Sequence, residues 1–156
     1  MKVFYYCFAG THSSVIAAAI HLNRLPMDRI PDRNEILNTV PFDLRESEDI
    51  GIPYFMGIDE CGHEIYVLGF GKDPALGLQV VQHLIEGRAD HEEWKFFNTL
   101  PCINWTTRCG GYLSRRWKWV GIGRFLLIRG IRQCYPKICK LVQQIKEWNP
   151  CQEKLS

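Results

Sequence analysis

No apolar run in this 156-residue chain reaches the ~20 residues a membrane-spanning helix needs, so a helical bilayer span is excluded. No Gly-Lys-Ser/Thr closes a glycine-rich loop, which argues against a Walker-type ATP site. No internal repeat or low-complexity stretch is present, which argues against solenoids and linker arrays. Seven cysteines occur, yet none forms a Cys-x-x-Cys pair. Cys134 and Cys139 flank Pro136, and Cys61-Gly62-His63 is too tight for the usual knuckle, so no metal site is expected. The start of the chain, one lysine followed by tyrosines and a cysteine, suits a sheet better than a secretory leader. The expectation is a cytoplasmic protein whose cysteines are mostly buried thiols. An apolar content of 46% is that of a folded domain rather than a disordered chain.

What is present begins with Lys2 to Leu25. Val3 to Phe8 is a run of β-branched and aromatic residues, with Cys7 near its end, and reads as a buried strand. Ala9, Gly10 and Thr11 make a short turn. Ser13 and Ser14 are suited to cap a helix that runs on through Val15 to Leu22 with three consecutive alanines. The free N–H groups at that helix start, with the hydroxyls of Thr11, Ser13 and Ser14, would form an anion site.

Pro26 to Pro53 is rich in Pro, Asp, Arg and Asn, with a short helix expected from Arg33 to Leu37, capped by Asp32 and stopped by Pro41. Phe42 and Leu44 are expected to tuck this connection against the body. So long a connection is either a flap over a site or an excursion. Tyr54 to Ile58 and Glu64 to Phe70 read as a hairpin turning at Asp59 to His63. Asp73-Pro74 opens a helix to Glu86, with Leu76, Val80 and Leu84 on one stripe. Trp94 to Trp105 contains a proline and reads as an edge strand. A short helix is expected over Tyr112 to Trp117. Gly121, Gly123 and Gly130 are expected to break residues 119–131, leaving a last helix from Gln133 or Pro136 to Trp148. This order predicts an α/β fold. It is a single three-layer, Rossmann-like domain over residues 1–150, with a central, mainly parallel sheet flanked by helices and one β-hairpin, and a tail at 151–156.

Charge is uneven along the chain. Residues 1–104 hold 8 Lys/Arg and 15 Asp/Glu, whereas residues 105–146 hold 10 Lys/Arg and no acid. Such a segment either meets a phosphate-rich partner or packs on the acidic part of the same fold. Within it, Arg108, Arg115, Arg116 and Arg124 lie among tryptophans and glycines. That mixture can contact phosphates and stack bases, or close back over the Ser13/Ser14 loop.

The loop from Cys7 to Ser14 is similar in outline to that of low-molecular-weight protein-tyrosine phosphatases and arsenate reductases. Those have a strand, a nucleophilic cysteine, five residues, Arg-Ser and an alanine-rich helix. The matching positions are Cys7, Phe8 to His12, Ser13, Ser14 and Val15 to Ile20. The resemblance implies a thiolate nucleophile at Cys7. Ser13 departs from it, standing where that family has the arginine that clamps phosphoryl oxygens, so the charge would have to come from Arg108, Arg115, Arg116 or Arg124. Asp73-Pro74 matches the family's general-acid pair in type, although a capped helix start explains it more simply. His12 is a candidate general base, and His21 is expected to pack or cap.

Along its length the chain also resembles an uncharacterised bacterial family, domain-of-unknown-function family 3189, found mainly in spore-forming bacteria. The stretches that carry this are Tyr5 to Leu25, GIDECGHEIYVLGFG at 57–71 and GGYLSRRWKWVGIGR at 110–124. It implies a small stand-alone cytosolic protein and no particular activity. The expected function is binding of a small phosphorylated molecule or anion at Gly10, Thr11, Ser13 and Ser14, by a hydrolase or transferase using Cys7 and His12. The alternative is a non-catalytic regulatory or interaction protein using the basic 105–146 face on a protein or nucleic acid, the nucleic acid being the less favoured. No membrane is expected as a partner, and no cofactor is specified.

Overall fold

The computed structural model describes residues 1–44, 47–87, 92–104 and 120–148. Four strands form one open sheet: β1 (Lys2–Cys7), β2 (Tyr54–Ile58), β3 (Glu64–Gly69) and β4 (Trp94–Asn98), in the order β2-β3-β1-β4. β1 runs parallel to β3 on one side and to β4 on the other, while β2 closes a hairpin antiparallel to β3. The fold is therefore mixed α/β with a mostly parallel sheet. The expected hairpin and edge strand are both present. β4 is shorter than its sequence suggests: Pro101 lies in a 3-10 turn over Leu100–Cys102, where its missing N–H costs no ladder bond.

Among the described residues four helices accompany the sheet: α1 (Ser13–His21), α2 (Arg33–Leu37), α3 (Pro74–Glu86) and α4 (Val120–Trp148). All nine residues of α1 are buried. A helix apolar on every side must be enclosed. Its Ala17-Ala18-Ala19 run lets it lie close between the sheet and α4. Val3, Tyr5, Ile65 and Val67 face it from the strands, and Leu127, Ile131, Ile138 and Val142 from α4. On the opposite side of β1, Phe4 stacks between Tyr66 and Phe96 at 4.9 and 4.8 Å. α2 carries a full capping box, with Asp32 accepting from the N–H of Glu35 and Glu35 accepting from the N–H of Asp32.

Three expectations are corrected. Gly123, Gly130 and Pro136 do not divide the last segment, because α4 is one helix of 29 residues containing Pro136. Each glycine costs about 1 kcal/mol and the proline about 3 kcal/mol. The buried row from Leu127 to Ile145 packs along the core, at about 1.5–3 kcal/mol for each large apolar side chain, and outweighs them. The α3 stripe faces outward: Leu76, Val80 and Leu84 are exposed, and the helix instead turns Gly77 toward the Phe70 ring. Leu44 is exposed too, and the connection is anchored by Phe42 and by Ile36 of α2. The expected helix over Tyr112 to Trp117 and the tail at 151–156 lie outside the described residues. Among the described residues no helix is long and apolar enough to cross a membrane.

Candidate functional site

β1 is the central parallel strand, and its carboxyl end opens into the loop that carries Cys7 to Ser14. Ligands in open α/β sheets bind at such strand ends. Neighbouring strand ends brace the loop. Phe70 and Gly71, after β3, donate N–H groups to the carbonyls of Cys7 and Phe8. Thr99, after β4, donates both its N–H and its hydroxyl to the Tyr6 carbonyl. Gly10 adopts a left-handed backbone (φ 67°), which turns the chain into α1. Gly69 permits the closest approach: a Cβ there would lie 2.6 Å from the carbonyl carbon of Ala9.

Cys7 sits at the centre of this turn. Its Sγ accepts the Gly10 N–H at 3.2 Å and lies 3.3 Å from Ser14 Oγ. His12 occupies the N-cap position of α1 without a side-chain cap, so the sulfur takes over the role of capping group. Burial pushes the Cys7 thiol up. Hydrogen bonds from the Ser14 hydroxyl and from the backbone N–H groups of Ser14, His12 and Ala9 outweigh it, and hold the thiol below its ordinary value. A thiolate at a helix N-terminus is the reactive form of cysteine.

The other loop side chains are engaged within the fold. Thr11 donates to the Pro41 carbonyl at 3.3 Å, and Ser13 Oγ pairs with Thr99 Oγ1 at 2.8 Å. Thr11, Ser13 and Ser14 are all buried, so they shape the turn from inside. His12 Nε2 lies 3.1 Å from Asp43 Oδ1, and the Asp43 N–H donates to the Thr11 carbonyl. Arg124, from the first turns of α4, donates from Nε to Asp43 Oδ2 at 2.8 Å. Burial raises the Asp43 carboxyl, but its bonds to His12 and Arg124 prevail and keep it below the usual carboxylate range. The connection over 26–53 is thus a flap in part, delivering Asp43 to the loop.

Of the arginines named from sequence, Arg124 is brought to the loop, through Asp43 and His12. Arg108, Arg115 and Arg116 lie outside the described residues. Asp73 caps α3, accepting from the Leu76 N–H at 3.0 Å. Asp43 and Thr99 were not legible as site residues. Asp43 lies in an irregular connection, and Thr99 looks like any polar residue after a strand until β4 is known to lie beside β1.

A small open-sheet α/β protein with a thiol-centred strand-loop-helix site is what fold and loop define together. The chain belongs to the DUF3189 family, described as "Protein of unknown function", which it matches over residues 2–147. No curated protein and no solved structure matches it.

Proposed function

We propose that the protein binds a phosphate-bearing small molecule or related oxyanion at the Gly10–Ser14 strand-loop-helix, and acts on it as a hydrolase or transferase with Cys7 as nucleophile. The observation that carries this reading is the Cys7 sulfur held among N–H donors at the start of α1. The thiolate would attack phosphorus and form an S–P bond as the leaving group departs; water or an acceptor hydroxyl would then cleave that bond and restore the thiolate. Ser14 supports the thiolate as leaving group in the second step. Arg124, steered by Asp43, supplies positive charge beside the loop, and His12 is placed to hold a proton there. Within this proposal the protein is cytoplasmic, and a second helical layer covers the Phe4 face to give the three-layer arrangement.

The test is a phosphate titration followed through the backbone amide resonances of Gly10 to Ser14, together with turnover of an aryl phosphate. Expected are shifts confined to the loop, weaker binding in Arg124→Ala, and loss of turnover in Cys7→Ser with the fold intact. Loop amides that ignore phosphate would end the proposal.

One observation favours a second reading. The outer face of α4 presents Arg129, Arg132, Lys137 and Lys140 to solvent. A regulatory protein using this face on an acidic protein or nucleic acid would bind with a steep salt dependence and would tolerate Cys7→Ser. A flat salt response would remove that reading.

A further inference from the structure

A surface cavity of about 490 Å³ lies between the start of α2 and α4, and no residue of the Cys7 to Ser14 loop lines it. Volumes of this order are usual for small-molecule sites. Most of the lining comes from one face of α4. Phe125, Ile128, Arg129, Arg132 and Gln133 stand at the three- and four-residue spacings that align side chains along a helix. The rest is Ile30 and Arg33, where the 26–53 connection enters α2. Ile128 is buried, whereas Ile30 and Phe125 keep 45% and 57% of their surface exposed. An isoleucine and a phenylalanine left open in one cavity, on two different segments, offer an apolar and partly aromatic surface to an occupant.

The charge in this cavity has one sign. Its lining holds three guanidinium groups and no carboxylate. The arginines just outside it are paired: Arg29 makes a two-pronged bridge to Glu35, at 2.8 and 2.6 Å, and Arg124 is taken by Asp43. Among the described residues, Arg33, Arg129 and Arg132 have no carboxylate partner. Arg129 and Arg132 also stand about one turn apart on the same helix face, where like charges repel. An anion placed among the three removes that repulsion.

We propose that this cavity binds a small organic polyanion with a flat aromatic body, the chemistry that nucleotides and aromatic polycarboxylates share. Guanidinium forks match the oxygen pairs of phosphate and carboxylate groups. The exposed Phe125 ring gives a base or an arene a face to stack on. The Gln133 amide can donate to or accept from the edge of such a body. Inorganic phosphate answers only half of these features, because it has no body to cover Ile30 and Phe125. An extended acidic partner lying along α4 would draw equally on Lys137 and Lys140, which are exposed but stand outside the cavity. The proposal does not depend on the chemistry assigned to Cys7.

The test is calorimetric titration of the full-length protein with two probes, ADP and trimesate, at low and high salt. Saturable binding of at least one probe is expected, one molecule per chain, with affinity falling as salt rises. The double variant Arg129→Gln/Arg132→Gln should bind at least about tenfold more weakly, the worth of one hydrogen bond to a charged group. Phe125→Ala should cost about fivefold through lost stacking. Lys137→Gln/Lys140→Gln removes the same charge outside the cavity and should cost less than about twofold. If circular dichroism shows the arginine variant unfolded, Arg33→Gln repeats the test from the other segment. Absence of saturable binding by both probes overturns the proposal, as does binding that the arginine variant and Phe125→Ala retain. A loss in the lysine variant equal to that in the arginine variant also overturns it, since that marks diffuse attraction to a basic face. Phosphate shifts at the Gly10–Ser14 loop are read separately and should survive the cavity substitutions, so failure of one proposal leaves the other standing.

Discussion

Removing the Ser14 hydroxyl isolates the feature on which the proposed chemistry depends. Ser14 Oγ lies 3.3 Å from Cys7 Sγ and is completely buried, so Ser14→Ala deletes one donor to the sulfur without opening a path for water. Hydrogen bonds to charged groups contribute about 1.5–3 kcal/mol. At 1.36 kcal/mol per unit, losing one raises the thiol pKa by about one to two units. The assay is the ultraviolet thiolate absorbance as a function of pH, with a Cys7→Ser protein subtracted so that the signal belongs to Cys7. Burial pushes both Cys102 and Cys139 up, so those two ionise later than Cys7. Stability must follow with a defined sign. A thiol whose folded pKa is depressed adds stability that grows as pH rises from the folded pKa toward the unfolded value near 9.0 and is fully present above it. Ser14→Ala should diminish that gain and leave stability below the folded pKa little changed. An unchanged ionisation midpoint would refute the view that Ser14 and the helix start activate the thiol.

Two further expectations concern the scaffold. Gly69→Ala drives a methyl group into the Ala9 backbone, which cannot move aside like a flexible side chain. It should destabilise by about 1–3 kcal/mol in denaturant titrations and shift the amide resonances of Cys7 to Gly10; wild-type stability with an unmoved loop would contradict the packing described. Ile131 is fully buried at the contact of α4 with α1, so Ile131→Ala should cost about 2–5 kcal/mol. A loss below about 1 kcal/mol would mean that α4 is not part of the core.

The sequence made the elements nearest the site readable. β1, the turn and α1 follow from a β-branched run, a glycine and an alanine-rich stretch, and β2–β3 from two strand patterns around Gly62. The long helix was hidden because glycine and proline propensities are local, whereas the burial that overrides them is tertiary. The exposed α3 stripe failed for the converse reason: periodicity marks which residues share a face, not what lies opposite it. Ser14 was legible as a residue of the helix start but not as the partner of Cys7, a contact made because the helix start brings the seventh residue after the cysteine back toward it. Asp43 escaped notice because its role depends on the flap folding onto Thr11, with Arg124 arriving from the far end of the chain. No pattern within either segment encodes that meeting.

Asp43 also sets two quantities against each other. Its carboxylate holds His12 and Arg124 together and so stabilises the flap. Yet it places a negative charge beside the site proposed for an anion, and it neutralises the arginine that should attract that anion. Charges about 6 Å apart interact by about 3 kcal/mol at an effective dielectric of about 20. The Arg124 side chain is 37% exposed, so solvent screening leaves roughly 1 kcal/mol. Asp43→Asn should therefore tighten phosphate binding about fivefold, the equivalent of that energy. It should also lower stability by about 1–3 kcal/mol, because both charged partners lose their acceptor. The depressed carboxyl gives the second effect its pH signature: the stability Asp43 contributes is present above its unfolded value of 3.8 and is lost as pH falls through the lower folded value. The difference between wild type and variant should close in strong acid. Calorimetric titration with inorganic phosphate and urea unfolding at neutral and acid pH measure both. Weaker phosphate binding in the variant would show that Asp43 orders the loop for its ligand, and that its charge does not compete with the ligand for Arg124.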